Sequence, residues 1–183
     1  MTPFACRNAA RSIQQGKVIA YPTEAVFGLG CHPLDAEAVK QILKIKQRPV
    51  SKGLILIASD FSQLRPYVAD VPDELLEQVF NTWPGPNTWL FPKNPATPYW
   101  LTGNFNTIAV RVSAHPVVRD LCNTGGTALV STSANRSKQE PARSALECRL
   151  KNLAADIIVN GNVDRNAKPS VITDLLSGKV IRQ

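Results

Sequence analysis

Residues 44–57 read Lys44-Ile45-Lys46-Gln47-Arg48-Pro49-Val50-Ser51-Lys52-Gly53-Leu54-Ile55-Leu56-Ile57, a basic segment followed at once by an apolar run. The segment from 44 to 52 holds four cations in nine positions and no acid. The apolar run is typical of a short buried strand, which would fix the end of the basic segment in the fold. We therefore expect a rigid anchor for an anionic ligand. The alternative is a solvated basic face on a basic protein.

The residues before this segment predict a helix. Asp35 is a suitable N-cap, and Val39, Ile42 and Leu43 fall on one face of the helix that follows it. Lys44 falls on the polar face. Pro49 prevents the helix from continuing, so the basic segment lies between a helix and a strand.

In the rest of the sequence, strand and helix patterns are interleaved but do not alternate strictly. Residues 81–105 stand apart, because they hold five prolines and all three tryptophans. We predict one α/β domain over residues 1–183, with a twisted mixed β-sheet flanked by helices. Predicted helices cover residues 5–15, 72–79, 144–154 and a stretch from 116; predicted strands cover 18–21, 54–58, 88–91, 107–112, 128–130, 156–159, 170–173 and 179–182.

The composition favours acidic partners. The 183 residues carry a formal net charge of +7, with ordinary apolar (44%) and charged (19%) fractions for a globular protein. Four scattered cysteines and two histidines lack the spacing of a zinc site, so buried free thiols are expected. There is no signal-peptide core and no apolar run long enough for a membrane span, and a cytoplasmic protein is predicted.

The familiar nucleotide-binding signatures are missing. No segment matches the Walker A pattern, and Gly28-Leu29-Gly30 continues to Pro33, where a dinucleotide fingerprint requires glycine. Side chains would therefore have to hold much of a nucleotide's charge. Arg48 offers a planar fork to phosphate oxygens, and the lysines act as point charges.

Two segments place polar groups after a strand. Tyr21 to Gly30 leaves one strand and is predicted to turn through its two glycines, so that Thr23 and Glu24 either face a small polar substrate or belong to a structural turn. Residues 129–135 end another strand in hydroxyls and an amide, which either orient ligand oxygens or form a strand-end turn. No nucleophile-elbow pattern surrounds Ser131 or Ser133, which argues against a serine hydrolase.

Arg111 lies within an otherwise apolar strand. A charge at such a position has either a ligand or an ion-pair partner, because burying it alone is costly, and we favour the ligand. The tryptophan-rich stretch is more typical of packing than of a base-stacking platform.

Together these segments resemble the YrdC-like family of threonylcarbamoyl-AMP synthases, in its single-domain bacterial form. The resemblance implies that the twisted mixed sheet carries a positively charged cleft. The resemblance covers nearly the whole chain, and the order and spacing of the segments make it specific. It is carried by Val18–Gly30, Lys46-Gln47-Arg48 with Lys52, Trp83-Pro84-Gly85-Pro86, Thr107–Arg111, Ser133-Ala134-Asn135, Pro169-Ser170 and Ile181-Arg182.

The resemblance implies a nucleotidyltransferase that makes threonylcarbamoyl-adenylate and pyrophosphate from L-threonine, bicarbonate and ATP. The product would serve the N6-threonylcarbamoyl modification of the adenosine next to the tRNA anticodon, completed by separate transferase proteins. Mg²⁺ would be held mainly by ATP rather than by a protein metal site. The resemblance also implies the following roles: catalysis by Lys46, Arg48 and Lys52; ATP binding by Arg48, Lys52, Thr107, Ser133, Asn135 and Arg182; L-threonine binding by Thr23, Arg111, Ser131 and Ser170.

The chain departs from the family pattern at two positions. Ala25 stands where many members carry a second threonine that touches the substrate, so that contact is lost or replaced. Pro141 stands where others offer a hydroxyl near the nucleotide.

A second hypothesis comes from a different class of protein. A charge of +7 also suits a non-catalytic module that binds tRNA or ribosomal RNA precursors. Against it, no RNA-binding motif is recognisable, and the aromatic residues are not interleaved with the basic segment. Weak RNA binding is compatible with either hypothesis.

Overall fold

The helices and strands follow one another along residues 1–182, the part of the chain that this computed structural model describes. The helices are α1 (Pro3–Gln14), α2 (Ala36–Lys46), α3 (Asp73–Phe80), α4 (Tyr99–Thr102), α5 (Pro116–Gly125) and α6 (Ala145–Leu150). The strands are β1 (Ile19–Pro22), β2 (Phe27–Gly30), β3 (Ile55–Ala58), β4 (Asn87–Pro92), β5 (Thr107–Val112), β6 (Leu129–Ser133), β7 (Ile157–Ile158), β8 (Val171–Asp174) and β9 (Val180–Arg182).

The strands form one mixed sheet in the order β7-β1-β2-β6-β3-β5-β4-β8-β9. Three neighbouring pairs are parallel, namely β1 with β7, β3 with β5, and β4 with β8. The other neighbours are antiparallel. The predicted α/β fold with a mixed sheet is therefore confirmed.

The two faces of the sheet differ because successive side chains of a strand point to opposite sides. One face carries Leu29, Leu56, Val110 and Val130, which join α2 in the larger apolar core. At one end of the opposite face, a smaller core joins the sheet to α1 and α5. The rest of that face is left open by these two helices, and it holds the cavity described below.

The helix that leads into the basic segment begins and ends as predicted. The Asp35 carboxylate accepts a hydrogen bond from the Ala38 amide at 2.9 Å. Gln47 closes the helix in the left-handed conformation, with φ at 51°, before Pro49 is reached. Arg48 and Lys52 therefore leave the helix axis, and Gly53 leads into β3.

Two predictions of local structure are wrong. Gly28 and Gly30 do not form a turn but lie within β2, paired with β1 and β6. The turn is earlier, at residues 23–26, where the Thr23 amide donates to Val26 O at 3.0 Å. Residues 99–102 form α4 inside the stretch that was predicted to be irregular around a single strand. Sheet pairing overrides the low strand propensity of glycine at the first of these sites.

The cysteines and two of the three tryptophans are buried. All four cysteines are free and buried, as expected. Trp83 and Trp89 lie in the larger core, and Trp83 stacks on Phe91, so packing explains them. Among the described residues, no helix is both long and apolar enough to cross a membrane.

Candidate active site

A cavity of about 640 Å³ lies on the open part of the sheet. Its floor follows the alternation of strands β3 and β5: Ile55 and Ile57 of β3 line it, as do Thr107, Ala109 and Arg111 of β5. The end of β6 adds Ser131, Thr132 and Ser133. The size lies within the range of small-molecule sites. All eleven residues predicted for the site line it: Thr23, Lys46, Arg48, Lys52, Thr107, Arg111, Ser131, Ser133, Asn135, Ser170 and Arg182.

The charges around the cavity are unbalanced. Glu24 supplies the one carboxylate among the described lining residues. Seven side chains supply positive charge: Lys46, Arg48, Lys52, Arg111, Lys138, Lys168 and Arg182.

Lys46 is the buried cation at the end of α2. Its ammonium donates to Ser133 O at 2.6 Å, to Asn135 Oδ1 at 3.0 Å and to Asn135 O at 3.1 Å. The Ser133 hydroxyl in turn donates to Asn135 Oδ1 at 2.6 Å. Burial, followed by the charge of Arg48, lowers the pKa of Lys46 to about 8. Lys46 thus ties the helix to the end of β6 with its three N–H donors.

Arg48 and Lys52 make fewer contacts with protein acceptors than Lys46 does. Arg48 Nη2 donates to the carbonyls of Lys52 at 3.2 Å and Gly53 at 3.0 Å, which holds the arginine against the turn. Its Nε is buried, and no acceptor among residues 1–182 binds it. Lys52 is exposed at the cavity, and its ammonium has no hydrogen bond or ion pair within the described part of the chain. Both side chains retain donors for a ligand.

Arg111 is paired within the protein, although we expected a ligand rather than an ion pair as its partner. It forms a buried ion pair with Glu24, and its Nε donates to Gly85 O at 3.0 Å. Glu24 also accepts from the Ser113 hydroxyl at 2.7 Å. Burial alone would raise the pKa of Glu24, but the charge and hydrogen bond of Arg111, with the Ser113 hydroxyl, lower it below its ordinary value. The pair holds the Arg111 guanidinium at the cavity wall.

The hydroxyl groups of the site are also held by the protein. Thr23 Oγ1 donates to Val26 O at 2.7 Å inside the turn between β1 and β2. Ser131 Oγ accepts a hydrogen bond of 2.8 Å from the Tyr21 hydroxyl. At the far side, Arg182 donates to Ser170 O at 2.8 Å and to Ser170 Oγ at 3.1 Å. The serine and threonine positions are thus fixed without a ligand.

With this geometry in view, comparison with known proteins identifies the family. The family model described as "Telomere recombination", which covers the Sua5, YciO and YrdC proteins, matches residues 11–183. The chain belongs to this family. The predicted resemblance is therefore confirmed over nearly its whole length.

Two curated relatives are about half identical to the chain. The threonylcarbamoyl-AMP synthase of Alkalilimnicola ehrlichii is 54% identical over 183 residues, which cover 98% of this chain and 95% of the relative. The threonylcarbamoyl-AMP synthase of Yersinia enterocolitica is 51% identical over 181 residues, with the same two shares.

The fold matches a solved member of the family. A crystal structure of Sua5 from P. abyssi in complex with L-threonine has a TM-score of 0.89 and 33% sequence identity. The match covers 95% of this chain but 52% of the Sua5 chain, so this Sua5/YrdC chain spans about half the length of that relative.

Sequence reasoning missed several polar residues at the cavity of this family member, and Thr88, Lys138 and Lys168 are three of them. Thr88 shares a buried hydrogen bond of 2.9 Å with Ser170, and Lys138 and Lys168 add charge to the lining. The period-2 pattern of β4, in which Thr88 and Leu90 share a face, is a signal that could have placed Thr88. Ala25 and Pro141, the two departures from the family pattern, also line the cavity.

Proposed function

We propose that this chain is a threonylcarbamoyl-AMP synthase, which joins L-threonine, bicarbonate and ATP into threonylcarbamoyl-adenylate and releases water, from the condensation of the threonine amine with bicarbonate, and pyrophosphate. The names of two relatives at about 50% identity over nearly the whole chain support the activity and do not favour the RNA-binding alternative. The observation that carries the proposal is the cavity. Its described lining contains all eleven predicted site residues, seven cations and a single carboxylate, which is already paired with Arg111.

The reaction explains this excess of positive charge. An oxygen of the threonine carbamate attacks the α-phosphorus of ATP; the new O–P bond forms as the bond to the pyrophosphate oxygen breaks. Both reactants are anions, and two unit charges about 4 Å apart repel by roughly 1 kcal/mol in water but by roughly 4 kcal/mol at an effective dielectric constant near 20. A partly closed site must offset this repulsion with fixed positive charge.

Arg48 and Lys52 are the side chains that we assign to the ATP phosphates. Both retain N–H donors that no described protein acceptor uses, and both lie on one wall of the cavity. Thr107, Ser133, Asn135 and Arg182 are assigned to the same nucleotide. Lys46 is assigned to catalysis together with Arg48 and Lys52, because it holds Ser133 and Asn135 in place at the nucleotide.

L-Threonine is assigned to the side of the cavity formed by β5, β6 and β8. Arg111 supplies charge for a carboxylate, and Thr23, Ser131 and Ser170 supply hydroxyl groups. The ion pair with Glu24 leaves Arg111 oriented before any substrate arrives, which lowers the cost of binding. Catalysis then depends on positioning and charge stabilisation, and no side-chain nucleophile is required.

Mg²⁺ does not fit a protein-held site in this cavity. The one carboxylate of the described lining is paired with Arg111, and no group of three or more His, Cys, Asp or Glu side chains in residues 1–182 is placed to hold a metal ion. We assign the ion to the ATP phosphates, which are themselves Mg²⁺ ligands.

Three further predictions belong to the proposal. The product would pass to separate tRNA threonylcarbamoyl-transferase proteins, with at most weak RNA binding by this chain. The cytoplasmic location and the single domain over residues 1–183 stay predictions, supported by the buried free cysteines and by the continuous sheet of the described residues.

The test is a pyrophosphate-release assay with each substrate omitted in turn. We expect release only when ATP, L-threonine and bicarbonate are all present, with threonylcarbamoyl-adenylate detected by mass spectrometry. Pyrophosphate release that is unchanged without L-threonine would contradict the proposal.

A further inference from the structure

Tyr21 lies at the border between the smaller core and the cavity. Its ring is fully buried among Ile19, Ile57 and Leu129, and it is not part of the cavity lining. Its hydroxyl donates to Ser131 Oγ at 2.8 Å, and Ser131 does line the cavity. Ser131 is therefore the hydrogen-bonded link between Tyr21 and the cavity.

Two glycines create the path for this contact. Strand β2 lies between β1, which carries Tyr21, and β6, which carries Ser131. A Cβ atom at Gly30 would lie 2.7 Å from Tyr21 Cε1 and 2.7 Å from Val130 O, so any side chain there would collide with the ring. A Cβ atom at Gly28 would lie 3.4 Å from Ser131 Oγ. The glycines of β2 thus let a tyrosine side chain cross the neighbouring strand.

The direction of the hydrogen bond determines what Ser131 can offer. Burial strongly raises the pKa of the Tyr21 hydroxyl, so the group is a neutral donor at physiological pH. A serine hydroxyl has one hydrogen and two acceptor sites. Since Ser131 accepts from Tyr21, and no other described side chain shares a hydrogen bond with it, its own hydrogen is free for an acceptor in the cavity.

We infer that Tyr21 is a positioning residue, which fixes the Ser131 hydroxyl as a donor to an anionic oxygen of the amino-acid substrate. The inference rests on the proposed function, because it takes the amino acid as the ligand of Ser131. A carboxylate suits this role, since it only accepts hydrogen bonds when ionised. Without the tyrosine hydroxyl, Ser131 can rotate and loses part of its preference for donating into the cavity.

The test compares Tyr21→Phe, Ser131→Ala and the double variant in steady-state kinetics and in calorimetric binding of L-threonine. For Tyr21→Phe we expect the KM and Kd for L-threonine to rise about fivefold to tenfold, the effect of one hydrogen bond. The KM for ATP and kcat stay within about twofold. The double variant matches Ser131→Ala, because Tyr21 acts only through Ser131.

Tyr67→Phe is the matched control. Tyr67 is also buried, but it lies outside the cavity lining. We expect its kinetics to match the wild type, and thermal melting of each variant reports loss of folding separately. The inference is overturned if Tyr21→Phe behaves like Tyr67→Phe, if it changes the KM for ATP as strongly as that for L-threonine, or if its effect multiplies that of Ser131→Ala.

The same assay separates this inference from the proposed function. Wild-type protein that turns over ATP without L-threonine overturns the proposed function itself. Wild-type protein that requires L-threonine, together with an unaffected Tyr21→Phe variant, overturns only the role of Tyr21.

Discussion

Lys46 and Arg111 face the same cavity as Arg48 and Lys52 but differ from them in their surroundings. Lys46 and Arg111, the inner cations, are buried and bound by acceptors from other segments of the chain. Arg48 and Lys52, the outer cations, lie on the turn between α2 and β3 and keep donors that no described acceptor uses.

The difference follows from the cost of burying charge. A buried cation needs fixed partners, so the inner cations join strands and turns into the cavity wall. Arg48 is half-buried against the turn, whereas Lys52 is exposed and can exchange its bound water for a phosphate oxygen. One continuous basic segment therefore contains a residue that builds the site and residues that remain available to a ligand.

The largest effect is expected for an outer cation. Replacing Lys52 by alanine should lower kcat/KM about 10³-fold, since the variant loses a charge that we assign to the reacting phosphates. The free energy of unfolding should change by less than about 0.5 kcal/mol, because the side chain is exposed. Steady-state pyrophosphate release and urea unfolding measure the two quantities.

Lys44→Ala is the control for this prediction. Lys44 belongs to the same basic segment but is exposed on α2 and lies outside the cavity lining. Its removal should leave kcat/KM within about twofold of the wild type. Equal losses in the Lys44 and Lys52 variants would show that the total charge of the segment, rather than its geometry, supports activity.

Replacing an inner cation should lower the free energy of unfolding, unlike the replacement of Lys52. Lys46→Met removes the donors of Ser133 O and both Asn135 oxygens, and the free energy of unfolding should fall by about 3 kcal/mol. Urea unfolding measures this, with Lys52→Met as the exposed counterpart. If the Lys46→Met variant has normal stability but no activity, Lys46 contacts the ligand instead of stabilising the cavity wall.

The smallest effect concerns the ion pair of the second inner cation. The pKa of Glu24 lies below the ordinary 4.5 in the folded state, so the pair stabilises the protein above pH 4.5 and this contribution is lost as pH falls through the folded-state pKa. Between pH 7 and a pH below the folded-state pKa of Glu24, the wild-type protein should therefore lose on the order of 1 kcal/mol more of its free energy of unfolding than the Glu24→Gln variant. Denaturant unfolding at several pH values measures the difference, and parallel pH curves would contradict it.

The sequence allowed much of this arrangement to be predicted. The cap at Asp35 and the break at Pro49 placed the basic segment between a helix and a strand. A charge inside an apolar strand marked Arg111, and hydroxyl groups at the end of another strand marked Ser131 and Ser133. These signals are local, because they depend on helix capping and on the residues of a single strand. For that reason they survive in the folded protein.

The sequence could not show which polar groups pair with each other. Glu24 and Arg111 are far apart along the chain, and the sheet order brings them together. Gly28 and Gly30 were predicted to be a turn because glycine weakens a strand locally. Their function in β2 depends on Tyr21, which lies on the neighbouring strand.

The sequence by itself determined the α/β class, the family and eleven of the side chains that line the cavity, because helix caps, strand patterns and the order of motifs follow from the residues along the chain. Only the tertiary structure decided which cations are paired and which remain free, and how Tyr21 reaches Ser131. The reason is physical: burial and hydrogen bonding depend on neighbours across the sheet, and strand order sets those neighbours.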